Sequence, residues 1–166
     1  MMTRYLKSFA ASGATVLALA SMLFLGPEST AKAHASDTGS HNLEGAWRLQ
    51  VTVLDCQTGT VIRTFPALAT FAKGGTVTLT TAGQLPSLST TALGVWRHDD
   101  QNYSAASEAF VFSPEGVWIQ THRLTRAIKV SDDGNGFTDT VDLEIFDTNG
   151  NLIASGCATS VATRFK

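Results

Sequence analysis

Residues 45–53 read Gly45-Ala46-Trp47-Arg48-Leu49-Gln50-Val51-Thr52-Val53. From Trp47 onward apolar side chains hold the odd positions, while Arg48, Gln50 and Thr52 hold the even ones. Side chains of a strand alternate between its two faces, so this pattern describes a strand with one face in a core and the other in water. Seven further β-rich runs follow, at about 60–71, 76–81, 93–97, 103–112, 117–130, 137–146 and 152–165. Clusters such as Lys73-Gly74-Gly75, Ser113-Pro114-Glu115-Gly116 and Asp147-Thr148-Asn149-Gly150 separate them, and these have the composition of tight turns. No long window shows a helical period. Eight consecutive strands joined by short turns predict an all-β, eight-stranded antiparallel up-and-down β-barrel with no C-terminal helix, because so long a meander curls until its edges meet. A two-sheet sandwich is the alternative that strand counting leaves open. The longest irregular stretch, Ala82 to Thr90, is the candidate for a loop at a barrel mouth.

Upstream, Arg4 and Lys7 precede an almost wholly apolar run from Ala14 to Leu25, and Ala31-Lys32-Ala33 and Ala33-His34-Ala35 offer small-x-small cleavage sites. This is the layout of a secretory signal over residues 1–35. The run is short of the roughly 20 residues that span a bilayer, although an anchored N-terminal helix remains the competing reading. Residues 36–43 are small and polar and read as a disordered lead-in, which leaves 44–166 as the barrel domain. Cleavage after Ala35 leaves 131 residues with 9 basic and 13 acidic side chains. That is room for one domain. An acidic balance with no basic stripe argues against nucleic acid as a partner. No later apolar stretch reaches spanning length, so no membrane contact is expected after signal removal, and the chain is expected to be secreted or periplasmic. Oligomeric state is not legible. Cys56 and Cys157, an even count in an oxidising compartment, predict one disulfide; two free buried thiols are the alternative.

If the first and last strands run antiparallel with Cys56 opposite Cys157, Leu49 falls opposite Arg164. Trp47 and Arg164 then share the inner face, and both cysteines the outer. Gly45-Ala46-Trp47 on the first strand with Arg164 near the end of the last resembles the lipocalin-like, calycin-type signature, in a bacterial-type secreted protein of unassigned subfamily. The resemblance implies that Trp47 plugs the closed end of the barrel while Arg164 lies across its ring, a cation–π contact whose spare donors meet nearby carbonyls. Two features depart from lipocalins proper: the chain lacks their terminal helix, and no Thr-Asp-Tyr-like segment precedes the seventh strand.

Phe110 and Phe112 share a face of the fifth run with Glu108, and Trp118, His122 and Arg126 share a face of the sixth. If both faces point inward, Glu108, Phe110, Phe112, Trp118, His122 and Arg126 line a site in which the charged groups must be paired. The bland alternatives are an internal ion-pair network or the reverse face assignment. Ala154, Gly156, Ala158, Ser160 and Ala162 on the last run leave volume, either as a cavity or filled from the facing wall by Phe65, Phe71, Trp96 and Trp118. Asp132, Asp133 and Asn135, like Asp147, Asn149 and Asn151, have the spacing with which calcium loops begin. The closing twelfth-position glutamate is missing, so both read as turns. No histidine spacing suggests zinc, no serine elbow suggests a hydrolase, and no metal or cofactor is expected. The resulting expectation is a carrier of a small apolar or amphipathic molecule. A barrel cyclase or isomerase of the allene oxide cyclase or dirigent kind, using Glu108 or His122, is the first alternative. A ligand-free structural or interaction module is the second.

Overall fold

The computed structural model describes residues 42–100 and 102–166. The expected signal peptide, residues 1–35, and most of the lead-in lie outside them. Eight strands follow in order: β1 (Gly45–Leu54), β2 (Val61–Ala72), β3 (Thr76–Thr81), β4 (Ala92–Asp99), β5 (Asn102–Phe112), β6 (Trp118–Val130), β7 (Gly136–Phe146) and β8 (Leu152–Arg164). Each pairs antiparallel with the next, and β8 pairs with β1, so the sheet is a closed barrel and not a sandwich. Closure leaves no free edge among these strands.

The β1–β8 register differs by two residues from the expected one. Trp47 lies directly opposite Arg164, and Cys157 opposes Leu54. Cys56 sits past the end of β1, in the turn to β2. The bond Cys56–Cys157 forms nonetheless, with 5.4 Å between Cα atoms, by reaching from that turn to the side of β8. A shift of two preserves the alternation of faces, so Trp47 and Arg164 still share a face.

At the closed end Trp47 is fully buried, and its indole N–H donates to the Leu43 carbonyl at 2.9 Å. Phe137 meets its ring edge-on at 4.9 Å, and Arg164 lies over it at 4.1 Å from the centroid. The Arg164 guanidinium also donates to the carbonyls of Gly134, Glu44 and Asn42. Gly45 is required here: its φ is +126°, and a Cβ would stand 2.8 Å from Arg164 Nη1. Leu43, expected in the lead-in, is fully buried, so the packed chain begins at least one residue before Glu44.

Phe71 and Trp96 meet edge-on, and Trp96 packs against Tyr103; with Val77, Ile128 and Val130 they fill this half of the barrel. Small residues on β5 and β4 make the room. The inner face of β5 carries Tyr103, Ala105, Ser107, Ala109 and Val111. A Cβ on Gly94 would meet the Ala106 carbonyl oxygen at 1.9 Å, so no larger residue fits there.

Candidate functional site

The other end of the barrel is hollow. A cavity of about 150 Å³ opens where β1 passes into β2, β3 into β4, β5 into β6 and β7 into β8. Val51, Val53, Phe65, Leu79, Leu124, Leu143 and Ala158 supply its apolar walls. Gly156 and Ala158 of β8 supply much of the missing volume. The expected choice between a cavity and a filled interior is therefore resolved by depth: Phe71 and Trp96 fill the closed half, while in the mouth half Phe65 forms one wall and leaves the cavity beside it.

Polar groups ring the opening. Thr81, Gly83, Gln84, Ser89 and Thr90, all at or beyond the end of β3, line it. The irregular stretch 82–90 thus stands at the mouth, as its composition suggested. Arg63 stacks on the Phe65 ring at 5.0 Å and donates to the Gly83 carbonyl at 3.0 Å, tying β2 to this segment.

At the cavity floor Arg126 of β6 is only 4% exposed. Its Nη1 forms an ion pair with Asp139 of β7, a carboxylate whose side chain is fully enclosed, and lies 3.4 Å from Ser160 Oγ of β8. Two atoms of the pair, Arg126 Nε and Asp139 Oδ1, are buried with no hydrogen-bond partner among the described residues. An ion pair taken out of water holds its place only when its remaining donors and acceptors are met. Below it lie Ile128, Phe137 and Ala162 of the packed half. The pair therefore marks the level at which filled barrel gives way to cavity.

Nearer the mouth, His122 also lines the cavity. Burial lowers its pKa below the ordinary histidine value of 6.5, so the ring is neutral at pH 7. Its Nε2 lies 3.4 Å from Gln120 Oε1.

Of the six side chains expected to line a site, the structure brings His122 and Arg126 together and places the others on the outer wall. Glu108 hydrogen-bonds to Arg123 at 2.8 Å outside the barrel. Phe110 is 49% exposed and packs edge-on against Trp118 at 5.7 Å. Phe112 pairs with Trp118 across the β5–β6 ladder. Two physical reasons account for the difference. On β5 the alternation puts Tyr103, Ala105, Ser107, Ala109 and Val111 inward, so the even-numbered Glu108 and Phe110 fall on the outer face. On β6 a bulge skips Ile119 in the pairing, and the strand segment before it is turned to the opposite face, which carries Trp118 outward. The same device skips Ile62 on β2 and Ile153 on β8, so in three of the four mouth hairpins the second residue of the returning strand is an exposed isoleucine left out of the ladder.

Asp139 and Arg63 were not singled out from the sequence, and Ser160 was named only as one of the small inward residues of the last run. For Asp139 a signal existed: it shares strand parity with Phe137 and Val141, both core residues, and a carboxylate on that face requires a buried cation. Asp133 and Asp147 accept hydrogen bonds from Asn135 and from Asn149 and Asn151 within their own turns. The Ser131 hydroxyl, with the bonds from Asn135, holds the Asp133 carboxyl down at about 2. Among the described residues no group of three or more His, Cys, Asp or Glu is placed to hold a metal. Comparison of the chain with known protein families and with curated proteins finds no match.

Proposed function

We propose that this chain is exported, loses residues 1–35 as a signal peptide, and serves as a lipocalin-like barrel that carries a small apolar or amphipathic molecule in its mouth half. The observation that carries the reading is the contrast within one barrel: a cavity of about 150 Å³ with mostly apolar walls lies above a core packed with aromatic rings. Open apolar concavities with a few convergent polar groups are where small ligands bind. The disulfide at the mouth fits an oxidising compartment, and it ties the β1–β2 turn to β8 beside the cavity. Native mass spectrometry of protein purified from its own host tests this directly. The expected spectrum contains a mature chain shortened at its N-terminus, two hydrogens lighter than the dithiol form, with an adduct of one small molecule. A bare, full-length mass contradicts both export and carriage.

One observation favours a second reading, a barrel enzyme of the cyclase or isomerase kind. His122 is a neutral, half-buried base facing the cavity, and proton transfer to or from a confined substrate needs such a group. Glu108, the other candidate, stands outside the barrel with Arg123 and has no access to the cavity. The two readings part on His122→Gln. In a carrier the substitution leaves the host-derived molecule bound and chemically unchanged. In an enzyme it converts a bound product into a bound substrate of different structure.

A further inference from the structure

Resting on the carrier reading, we infer that the ligand is a neutral amphiphile: its apolar part fills the mouth cavity, and its short hydroxylated head sits in a second void, in the gap of the wall between β3 and the segment 82–90.

The gap follows from the ladders. β3 and β4 pair from Thr76–Val95 to Leu79–Ala92, whereas β3 runs on against β2 through Thr80 and Thr81. Beyond Leu79 the wall has no β4 partner to close it, and the segment 82–90 crosses the opening. Both ends of that segment are tied down. The Ala82 N–H donates to the Pro66 carbonyl of β2, while on the β5 side the Thr90 N–H donates to the Phe110 carbonyl and the Phe112 N–H to that of Leu88. These ties to β2 and β5 hold the opening apart.

A void of about 130 Å³ occupies the gap, with Thr80, Thr81, Gln84, Ser89, Thr90 and Thr91 around it. Thr81, Gln84, Ser89 and Thr90 line the mouth cavity as well, so the two voids adjoin across these side chains. One is apolar and the other is walled mainly by hydroxyls. A single molecule that spans them needs the same division.

The head follows from the hydrogen-bonding groups. Hydroxyls and side-chain amides both donate and accept. Thr81 Oγ1 accepts from the Gly83 N–H and Thr90 Oγ1 from the Phe110 N–H, and a hydroxyl that accepts one bond still has its own proton to give. A diol or short polyol offers the matching two-way capacity, and its carbon skeleton meets Leu85 and Pro86 of the same void. No charged side chain among the described residues lines this void, so an ionic head would shed water there with no opposite charge to meet it. Arg63, at the edge of the apolar cavity, is already set on the Phe65 ring and the Gly83 carbonyl.

The tail follows from the space. A void of about 150 Å³ walled by aliphatic side chains holds a single benzene ring, and the mouth cavity has that volume, with Val51, Leu79, Leu124 and Leu143 around it.

Four aryl ethers of similar length separate the cases: the phenyl monoether of glycerol, propoxybenzene, phenoxyacetate and protonated phenoxyethylamine. Each is titrated into the folded, disulfide-bonded chain and followed by protein NMR. The glycerol ether is expected to bind at least about fivefold more tightly than propoxybenzene, the gain of one or two neutral hydrogen bonds, and more tightly than either ion. The amide resonances of Thr80 and Thr91, which line the second void and not the first, are expected to move with the glycerol ether and to stay with propoxybenzene. Leu124 and Leu143 are expected to move with both. Equal affinity for those two probes, tighter binding of either ion, or Thr80 and Thr91 unmoved by the glycerol ether overturns the inference while leaving the carrier reading intact. Failure of all four to perturb the cavity residues overturns both. The double variant Thr80→Val with Thr91→Val removes two hydroxyls and keeps branched side chains in their place. It is expected to bind propoxybenzene as before and to lose most of the preference for the glycerol ether; a preference left whole overturns the placement of the head. Should that variant not fold, the ranking of the four probes on the unaltered chain decides the matter alone.

Discussion

Arg164 at the closed end and Arg126 at the cavity floor are both arginines held against the inside of the same barrel. Arg164 covers the face of Trp47 and donates to three backbone carbonyls, from Asn42, Glu44 and Gly134. Its charge stays near water at the barrel end, and its donors are matched by groups that need donors. Arg126 is enclosed, is balanced by one carboxylate, and retains an unmatched Nε–H. An arginine at a barrel end can act as a staple, with each of its three nitrogens donating to a carbonyl. An arginine at mid-barrel, enclosed with one carboxylate, instead marks the boundary between the packed half and the hollow one.

Breaking the mid-barrel pair should have the largest effect. Arg126→Ala leaves Asp139 buried and uncompensated, which costs about 3–5 kcal/mol, read as a fall in the urea midpoint with little change in slope. Arg126→Met with Asp139→Leu should recover most of that loss, because apolar groups of similar volume replace both charges. At the closed end Arg164→Met keeps contact with the Trp47 ring and removes the donors to three carbonyls, at a cost of about 1.5–3 kcal/mol by the same measurement. Gly45→Ala forces an L side chain into positive φ and against Arg164, which should cost about 1–3 kcal/mol.

Ala158→Leu sharpens the comparison from the hollow side. It should change stability by no more than about 1 kcal/mol, since the added atoms enter open space, yet abolish binding of a small apolar probe such as cumene, titrated into the chain and followed by NMR. The smallest effect is a pH slope. Burial holds the folded-state pKa of His122 below the unfolded value of 6.5. Below pH 6.5 the unfolded chain therefore takes the proton first, so stability falls as pH drops through that value toward the folded one and is level above it. Denaturation midpoints across pH 5–8 should show this slope in the unaltered chain, and His122→Gln should flatten it.

The fold was largely legible because two signals agreed. The alternation from Trp47 to Val53 and the turn clusters after each later run give eight strands, and the face shared by Trp47 and Arg164 survives a register error of two residues. The site was only partly legible. His122 and Arg126 could be placed because five alternate positions of β6, from His122 to Val130, face inward without interruption. Trp118 could not, because the bulge at Ile119 has no signature in residue spacing. Phe110 and Phe112 were assigned inward as aromatic residues, whereas the interior takes the other face of β5, with Tyr103, Ala105, Ser107, Ala109 and Val111. Asp139 escaped notice because aspartates stand on both faces of β7, and only pairing with Arg126 distinguishes the buried one from Asp142.

The central claim is that one half of this barrel is packed and the other half is a binding chamber. Methyl NMR under xenon pressure, which places an inert apolar atom wherever space exists, tests it most directly. The account predicts shifts confined to Val51, Val53, Leu79, Leu124 and Leu143, with Leu49, Val77, Ile128 and Val130 unmoved. Shifts spread over both sets, or absent from the first, would contradict it.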